Sequence, residues 1–303
     1  MTSKLNELSE FQQNTYSQNG EDGVIAEILH RISKQSNLDK WCVEFGAWDG
    51  VHLSNTCKLI REEGYSAILI EGDPKRVEQL KKNLPQENVI KICRFISFEG
   101  KNTLDDVLSD TPIPHDFDFL SIDIDGVDYH IFDSLKKYRP KIICIEFNPT
   151  IPNAVDFVQP KDFLIKQGSS AKAISRLARE KGYDLVSVVS CNLILVRNDL
   201  TKFVINTTPK LEDLNPQGND PQYIFVGYDG TILSNKDAID LAWHGLEVPL
   251  SKIQFLPKFL RICACDYSTL KKALLGCFLF PHFPKIVISH LTKKIQAKDR
   301  TLD

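Results

Sequence analysis

Acids and glycines gather at a few points of the chain in spacings that suit small-molecule chemistry. Glu44-Phe45-Gly46-Ala47-Trp48-Asp49-Gly50 places Gly46 and Gly50 in one short turn flanked by Glu44 and Asp49. Glycine lets backbone approach a ligand closely and adopt positive φ. Acids beside such a turn disfavour a pyrophosphate and favour a cationic or hydroxyl-bearing ligand. The spacing Gly46-x3-Gly50 also departs from the G-x-G-x-x-G dinucleotide pattern. Glu71, in Glu71-Gly72-Asp73, follows Gly46 by 25 residues. That is one strand–helix–strand step, and an acid there accepts hydrogen bonds from ribose hydroxyls.

A second group is purely acidic. Asp123, Asp125 and Asp128 fall within six residues, and Glu146 and Asn148 follow a later apolar run. Clustered carboxylates raise one another's pKa unless a cation neutralises them. Asp123, Asp125, Glu146 and Asn148 therefore form a candidate set of hard oxygen ligands for Mg²⁺ or Ca²⁺. The alternative is that Asp125 and Asp128 cap the next helix and only Asp123 reaches the ligand. An oxygen or nitrogen nucleophile can require a base. His130 and His52 are the nearby candidates, with Asp123 and Glu146 as acid alternatives; Asp123 and His130 are the expected catalytic residues.

These residues need elements to hold them. Trp41–Phe45, Ala67–Glu71, Val89–Phe95, Asp118–Asp123 and Lys141–Phe147 are short apolar runs between helical stretches. Such runs predict a parallel sheet covered on both faces. Asp73-Pro74 opens a helix to about Asn83, with the acid as cap and proline first in the helix. Ser54 and Asn55 cap a helix to Glu63, Tyr129–Tyr138 is amphipathic, and Ser170–Lys181 ends at Gly182. Tyr183–Val189 and Asn192–Val196 are joined by only Ser190-Cys191, which forces them antiparallel. The expected fold is α/β: a doubly wound, Rossmann-like sheet of seven strands with a terminal antiparallel hairpin and one reversed edge element, followed by a C-terminal extension.

The motifs together carry a resemblance. Ser17-Gln18-Asn19-Gly20-Glu21-Asp22, the Gly46–Gly50 turn, Ser54-Asn55-Thr56, Glu71-Gly72-Asp73, Thr103-Leu104-Asp105-Asp106, Ser121-Ile122-Asp123-Ile124-Asp125-Gly126-Val127-Asp128 and Glu146-Phe147-Asn148-Pro149 stand in order over roughly residues 15–200. This set resembles the FkbM-like class I S-adenosylmethionine-dependent methyltransferases, whose sheet ends in a reversed strand. The resemblance implies a methyltransferase that uses S-adenosyl-L-methionine on an oxygen of a glycan, polyketide or other small metabolite. It implies that Gly46, Ala47, Asp49 and Gly50, beside Glu44, line the methionine and ribose. It further implies that Glu71 holds the ribose hydroxyls, that Ser97, Phe98 and Glu99 border the adenine, and that Asp123 faces the methyl donor. Gln18 and Glu21 would form a lid; the plain alternative for Ser17–Asp22 is a helix cap box. The divalent-metal-dependent O-methyltransferases use an acid cluster to bind Mg²⁺ and two acceptor hydroxyls, which is the reading the four oxygen ligands invite.

Composition sets the frame. The chain has 303 residues, 42% hydrophobic and 25% charged, as ordinary globular proteins have. A net charge of −3 gives no electrostatic footprint for nucleic acid. The balance is uneven: ten Lys/Arg against three Asp/Glu from Ser251 to Asp303 make +7, leaving −10 for the remainder. Eight cysteines are too sparse for a disulfide scaffold, and Cys263-Ala-Cys265 alone is a weak zinc signal. No signal-peptide h-region opens the sequence and no run is long enough to span a bilayer, so a cytoplasmic protein is expected. The expected organisation is an N-terminal helical lid segment over 1–40, a methyltransferase core over 41–200, a loop-rich extension over 201–250 and a basic apolar tail over 251–303. The tail suits an anionic membrane surface, packing on the body, or self-association. Two other functions fit the same fold: a nicotinamide-dependent oxidoreductase, disfavoured by the glycine spacing and the hairpin, and a cofactor-binding module without turnover.

Overall fold

The computed structural model describes residues 7–282 and Pro284. Residues 1–6 of the expected lid segment, and the tail beyond Pro284, lie outside the described residues. The chain divides into two compact units, residues 1–221 and residues 222–303.

In the first unit seven strands form one sheet: β1 Trp41–Phe45, β2 Ser66–Glu71, β3 Val89–Cys93, β4 Phe119–Ile122, β5 Ile142–Glu146, β6 Tyr183–Val189 and β7 Asn192–Arg197. The order is β3-β2-β1-β4-β5-β7-β6. β1 to β5 pair in parallel, and β7 runs antiparallel to both β5 and β6. The reversed strand is therefore internal, and β6 takes the edge. The doubly wound dinucleotide sheet has order 3-2-1-4-5-6 with no such insertion.

Successive strand residues point to opposite faces, and each face has its own core. Val43, Ile68, Leu120, Ile143 and Leu195 pack with Leu104, Phe132 and Ile174 on one side. Those last three come from α4 Leu104–Ser109, α5 Asp128–Ser134 and α6 Ala171–Glu180. Cys42, Leu69, Phe119, Cys144 and Ile194 pack with Ile25, Leu59, Leu80 and Leu200 on the other. There the helices are α1 Glu21–Ser33, α2 Cys57–Glu62, α3 Pro74–Asn83 and α7 Asn198–Val204. Continuous apolar strands are thus the sign of a sheet with no solvent face.

Local chemistry sets the helix ends. Asp73 accepts the Lys75 N–H at 2.8 Å and Pro74 opens α3. Thr103 and Asp106 form a reciprocal capping box on α4. α5 stops at Ser134, four residues before the expected Tyr138. The cause is Asp105, a buried carboxylate that accepts the backbone N–H groups of Lys136, Lys137 and Tyr138 and holds them out of the helix. At the amino edge Lys141 is buried against Asp118 at 2.8 Å and Asp39 at 2.6 Å.

The second unit holds two hairpins, β8 Ile224–Val226 with β9 Ile232–Ser234 and β10 Ala238–Leu241 with β11 Leu246–Pro249, and a helix Thr269–His282. Asp229-Gly230 turns the first hairpin, with Asp229 accepting the Thr231 N–H and hydroxyl. No helix among the described residues is long and apolar enough to cross a membrane.

Candidate functional site

The order β2-β1-β4-β5 sets the carboxyl ends of four parallel strands side by side. Glu71, the turn after Phe45, Asp123 and Glu146 occupy those ends in succession. Ligands of open α/β sheets bind along this edge.

The turn after β1 is fixed by backbone bonds. Gly46 and Ala47 both donate N–H to the Ile70 carbonyl at 3.1 Å, and Gly50 donates to Ala47 at 2.7 Å. Gly46 has φ +82, and a Cβ there would stand 2.0 Å from the Asp123 carbonyl oxygen. Asp49 closes the turn, accepting the Val51 and His52 N–H groups. Trp48 also has positive φ, is 41% exposed, and lies beneath the Arg76 guanidinium and against His52. A non-glycine residue held there is a sign of local over-determination. Sequence reasoning gave Trp48 no part, although it is the one bulky residue in the turn.

Glu71 is buried and oriented by two backbone donors, Trp48 N–H to Oε2 at 3.0 Å and Asp73 N–H to Oε1 at 2.8 Å. Each oxygen keeps a lone pair for a ligand hydroxyl. Glu44 is committed inward: Ser54 Oγ and Thr56 Oγ1 donate to one oxygen and Asn55 N–H to the other. Burial still pushes its pKa up, with those hydrogen bonds opposing. Glu44 thus builds the loop into α2, and the Ser54-Asn55-Thr56 motif is its counterpart.

Asp123, Asp125 and Glu146 bring one carboxylate oxygen each within 4.8 Å of one another. Asn148 does not offer its amide in the same way: Nδ2 donates to the Gln167 carbonyl and Oδ1 accepts from Thr150. Asp128 is buried and accepts the Ile124 and Gly126 N–H groups, which shapes the turn that presents Asp125 at φ +56. Burial, then the neighbouring Asp128 and Asp125, raise Asp123 to about 7. Burial, then Asp123, raise Glu146 to about 9, and burial raises Asp128 to about 6. Among the described residues none of Glu44, Glu71, Asp123, Asp125, Asp128 and Glu146 makes an ion pair.

The remaining expected residues are placed as follows. His130 Nε2 lies 2.8 Å from the Gln159 carbonyl and so donates to it, leaving Nδ1 as the acceptor of the neutral ring. Ser97 Oγ accepts the Glu99 N–H, and Phe98 is buried, stacked on Phe163 at 4.6 Å and covered by Lys161. Gln18 is exposed, whereas Glu21 is fully buried and accepts from Asn19 N–H and Asn192 Nδ2. Asn192 stands opposite Glu146 in the β5–β7 register, and its Oδ1 is buried without a partner. Sequence reasoning missed Asn192; the available signal was a lone amide at the start of an apolar strand. A cavity of about 780 Å³, lined among others by Phe11, Leu29, Lys40 and Tyr65, draws on none of the expected site residues. In the second unit Asp266 lies beside Cys263 and Cys265, a second group with metal-ligand chemistry.

No curated protein matches the chain. Among solved structures, a pericyclic reaction enzyme is similar at 12% identity over 56% of this chain and 46% of that one, with a TM-score of 0.36. An S-adenosylmethionine-dependent methyltransferase from Aquifex aeolicus is similar at 12% identity over 63% of this chain and 96% of that one, TM-score 0.34. A precorrin-6y C5,15-methyltransferase from Geobacter metallireducens is similar at 16% identity over 62% and 93%, TM-score 0.34. Residues 100–185 match the family model of the methyltransferase FkbM domain. That stretch runs from the end of the β3 loop into β6 and contains Asp123, Asp125, His130 and Glu146. The resemblance read from the motifs is borne out over that stretch, which is similar to the methyltransferase FkbM domain.

Proposed function

We propose that the protein moves the methyl group of S-adenosylmethionine to a hydroxyl oxygen of a glycan or other small metabolite. The observation that carries this reading is the acid-lined carboxyl edge without ion pairs. S-adenosylmethionine is a cation at its sulfonium and its ammonium, so such an edge suits it and disfavours a pyrophosphate. Glu71, pre-set by Trp48 and Asp73, would accept the ribose hydroxyls. The buried, unpartnered Oδ1 of Asn192 and the acids around it fit a donor such as an ammonium N–H.

In the transfer the acceptor hydroxyl loses its proton, its oxygen attacks the methyl carbon, and the carbon–sulfur bond breaks to leave S-adenosylhomocysteine. The chain's task is to align donor and acceptor and to take the proton. Asp123, raised to about 7, would serve as proton acceptor from a bound hydroxyl, whereas Glu146, raised to about 9, would hold its own proton near neutral pH. Nδ1 of His130 is the alternative acceptor. The three clustered carboxylates also fit Mg²⁺, a hard cation that takes oxygen ligands. Bound there, it would neutralise the cluster and order acceptor hydroxyls; Asn148 is not placed to join them.

Calorimetric titration with S-adenosylmethionine, S-adenosylhomocysteine and NAD⁺, each with and without Mg²⁺, tests the reading. Binding of the two sulfur compounds alone is expected, followed by methyl transfer from isotope-labelled donor to hydroxyl-bearing acceptors. Binding of NAD⁺ alone, or of none, refutes it. Turnover that is indifferent to EDTA removes the Mg²⁺ assignment and leaves Asp123 as the base.

A further inference from the structure

We propose that the second unit, residues 222–303, docks the protein on an anionic lipid surface. Large exposed apolar side chains are concentrated there. Of twenty-one in the described structure, fourteen lie between Tyr223 and Phe280. Strand β8 exposes all three of its side chains, Ile224, Phe225 and Val226. Tyr228 is 99% exposed and Trp243 63%. Soluble proteins seldom leave apolar surface at this density uncovered. Tyrosine and tryptophan, with an apolar ring and a polar tip, are the residues of the lipid–water boundary.

Charge decides what covers them. Residues 251–303 carry +7, while the rest of the chain carries −10. The second unit as a whole has eleven Lys/Arg and seven Asp/Glu, so two copies joined through it would bring +4 against +4. A second unit set on another copy's acidic body would gain charge but no apolar counterpart, since only seven large apolar side chains are exposed between Phe11 and Leu164. An anionic bilayer supplies both needs at once, negative headgroups and an apolar interior. Basic charge combined with shallow apolar insertion is what holds a protein on such a surface. The helix Thr269–His282 fits this mode: it has 14 residues, too few to cross, with Lys271 and Lys272 in its first turn and Leu270, Leu274 and Phe280 exposed.

The test is flotation of the full-length protein with phosphatidylcholine vesicles that contain or lack phosphatidylglycerol. Binding to the anionic vesicles is expected, weakening as salt rises. Lys271→Gln with Lys272→Gln should weaken it roughly 30-fold, from about one kcal/mol for each lysine near the surface. Trp243→Ser should weaken it as well, with S-adenosylhomocysteine affinity unchanged to show that the sheet unit is intact. Protein that stays in solution beside anionic vesicles, as monomer or as oligomer, overturns the proposal. So does equal binding to neutral vesicles, or a double lysine variant that floats like the parent.

Discussion

Alanine at Gly46 sets a steric problem at the point where β1 hands over to the ligand turn. Two costs add. The backbone there has φ +82, and an L-residue in that region costs about 1–2 kcal/mol. The new Cβ would lie 2.0 Å from the Asp123 carbonyl oxygen and 3.3 Å from Ile124 Cγ2. The nearest obstacle is backbone, so no side chain can swing aside, and overpacking of this kind costs about 1–3 kcal/mol more. A total of about 2–5 kcal/mol corresponds to a fall in melting temperature of roughly 5–15 °C for a unit of this size. Gly64 provides the control. It has φ +71, but a Cβ there meets nothing within 4 Å, so Gly64→Ala should cost about 1–2 kcal/mol and no more. Differential scanning calorimetry of the two variants isolates the steric part. Because relief requires β1 and the Asp123 backbone to separate, Gly46→Ala should also weaken S-adenosylhomocysteine binding, whereas Gly64→Ala should not. If Gly46→Ala melts no lower than Gly64→Ala, the close approach of these two strand ends is wrong.

Three further outcomes are expected. Glu71→Gln should weaken S-adenosylmethionine binding roughly 10- to 100-fold, the worth of a hydrogen bond to a charged group; unchanged affinity by titration calorimetry removes the ribose assignment. Lys141→Met should destabilise the fold by about 3–5 kcal/mol, because Asp118 is left buried and unpaired. Asp118→Asn in the same chain should recover part of that loss in urea denaturation, and a single variant as stable as the parent would show that the ion pair contributes nothing. Asp123 at about 7 and Glu146 at about 9 hold protons more tightly folded than unfolded. Their contribution is therefore full below about pH 4 and is lost as pH rises through 7 to 9. Glu146→Gln removes one of these groups, so its stability relative to the parent should climb between pH 5 and pH 9; a constant difference would mean that folding does not raise the Glu146 carboxyl.

Much of the frame is written in short-range signals. Asp73-Pro74 makes the cap its spacing predicts, and Thr103 with Asp106 and Ser170 cap their helices over the same three or four residues. The glycine turn and the acids at the strand ends are legible for the same reason, since a strand end is a local feature. What escapes is decided by residues far apart in the chain. α5 is shortened by Asp105, some thirty residues earlier. Glu44 looks like a ligand contact beside a glycine turn, yet its oxygens are taken by Ser54, Asn55 and Thr56. Asn148 ends a strand next to the acids, but the loop carrying Gln167 claims its amide. Whether the reversed strand lies inside the sheet or at its rim cannot be read from a tight turn, because the turn fixes direction and not position.

That insertion has a consequence for synthesis. β1, β2, β4 and β5 can pair as they emerge, but β5 keeps one open edge, Ile142–Glu146, until β7 has been made about fifty residues later. At ~5–20 residues per second the wait is roughly 3–10 s. During it the nascent chain carries a bare apolar strand edge of the kind that recruits neighbouring chains. β6, made first, could take that edge only by pairing in parallel with β5, and so block β7. The two-residue Ser190-Cys191 turn joins β6 directly to its antiparallel partner β7, so β6 can pair with β7 before either reaches β5. Lengthening that turn should leave the finished fold nearly as stable while lowering the yield of soluble protein.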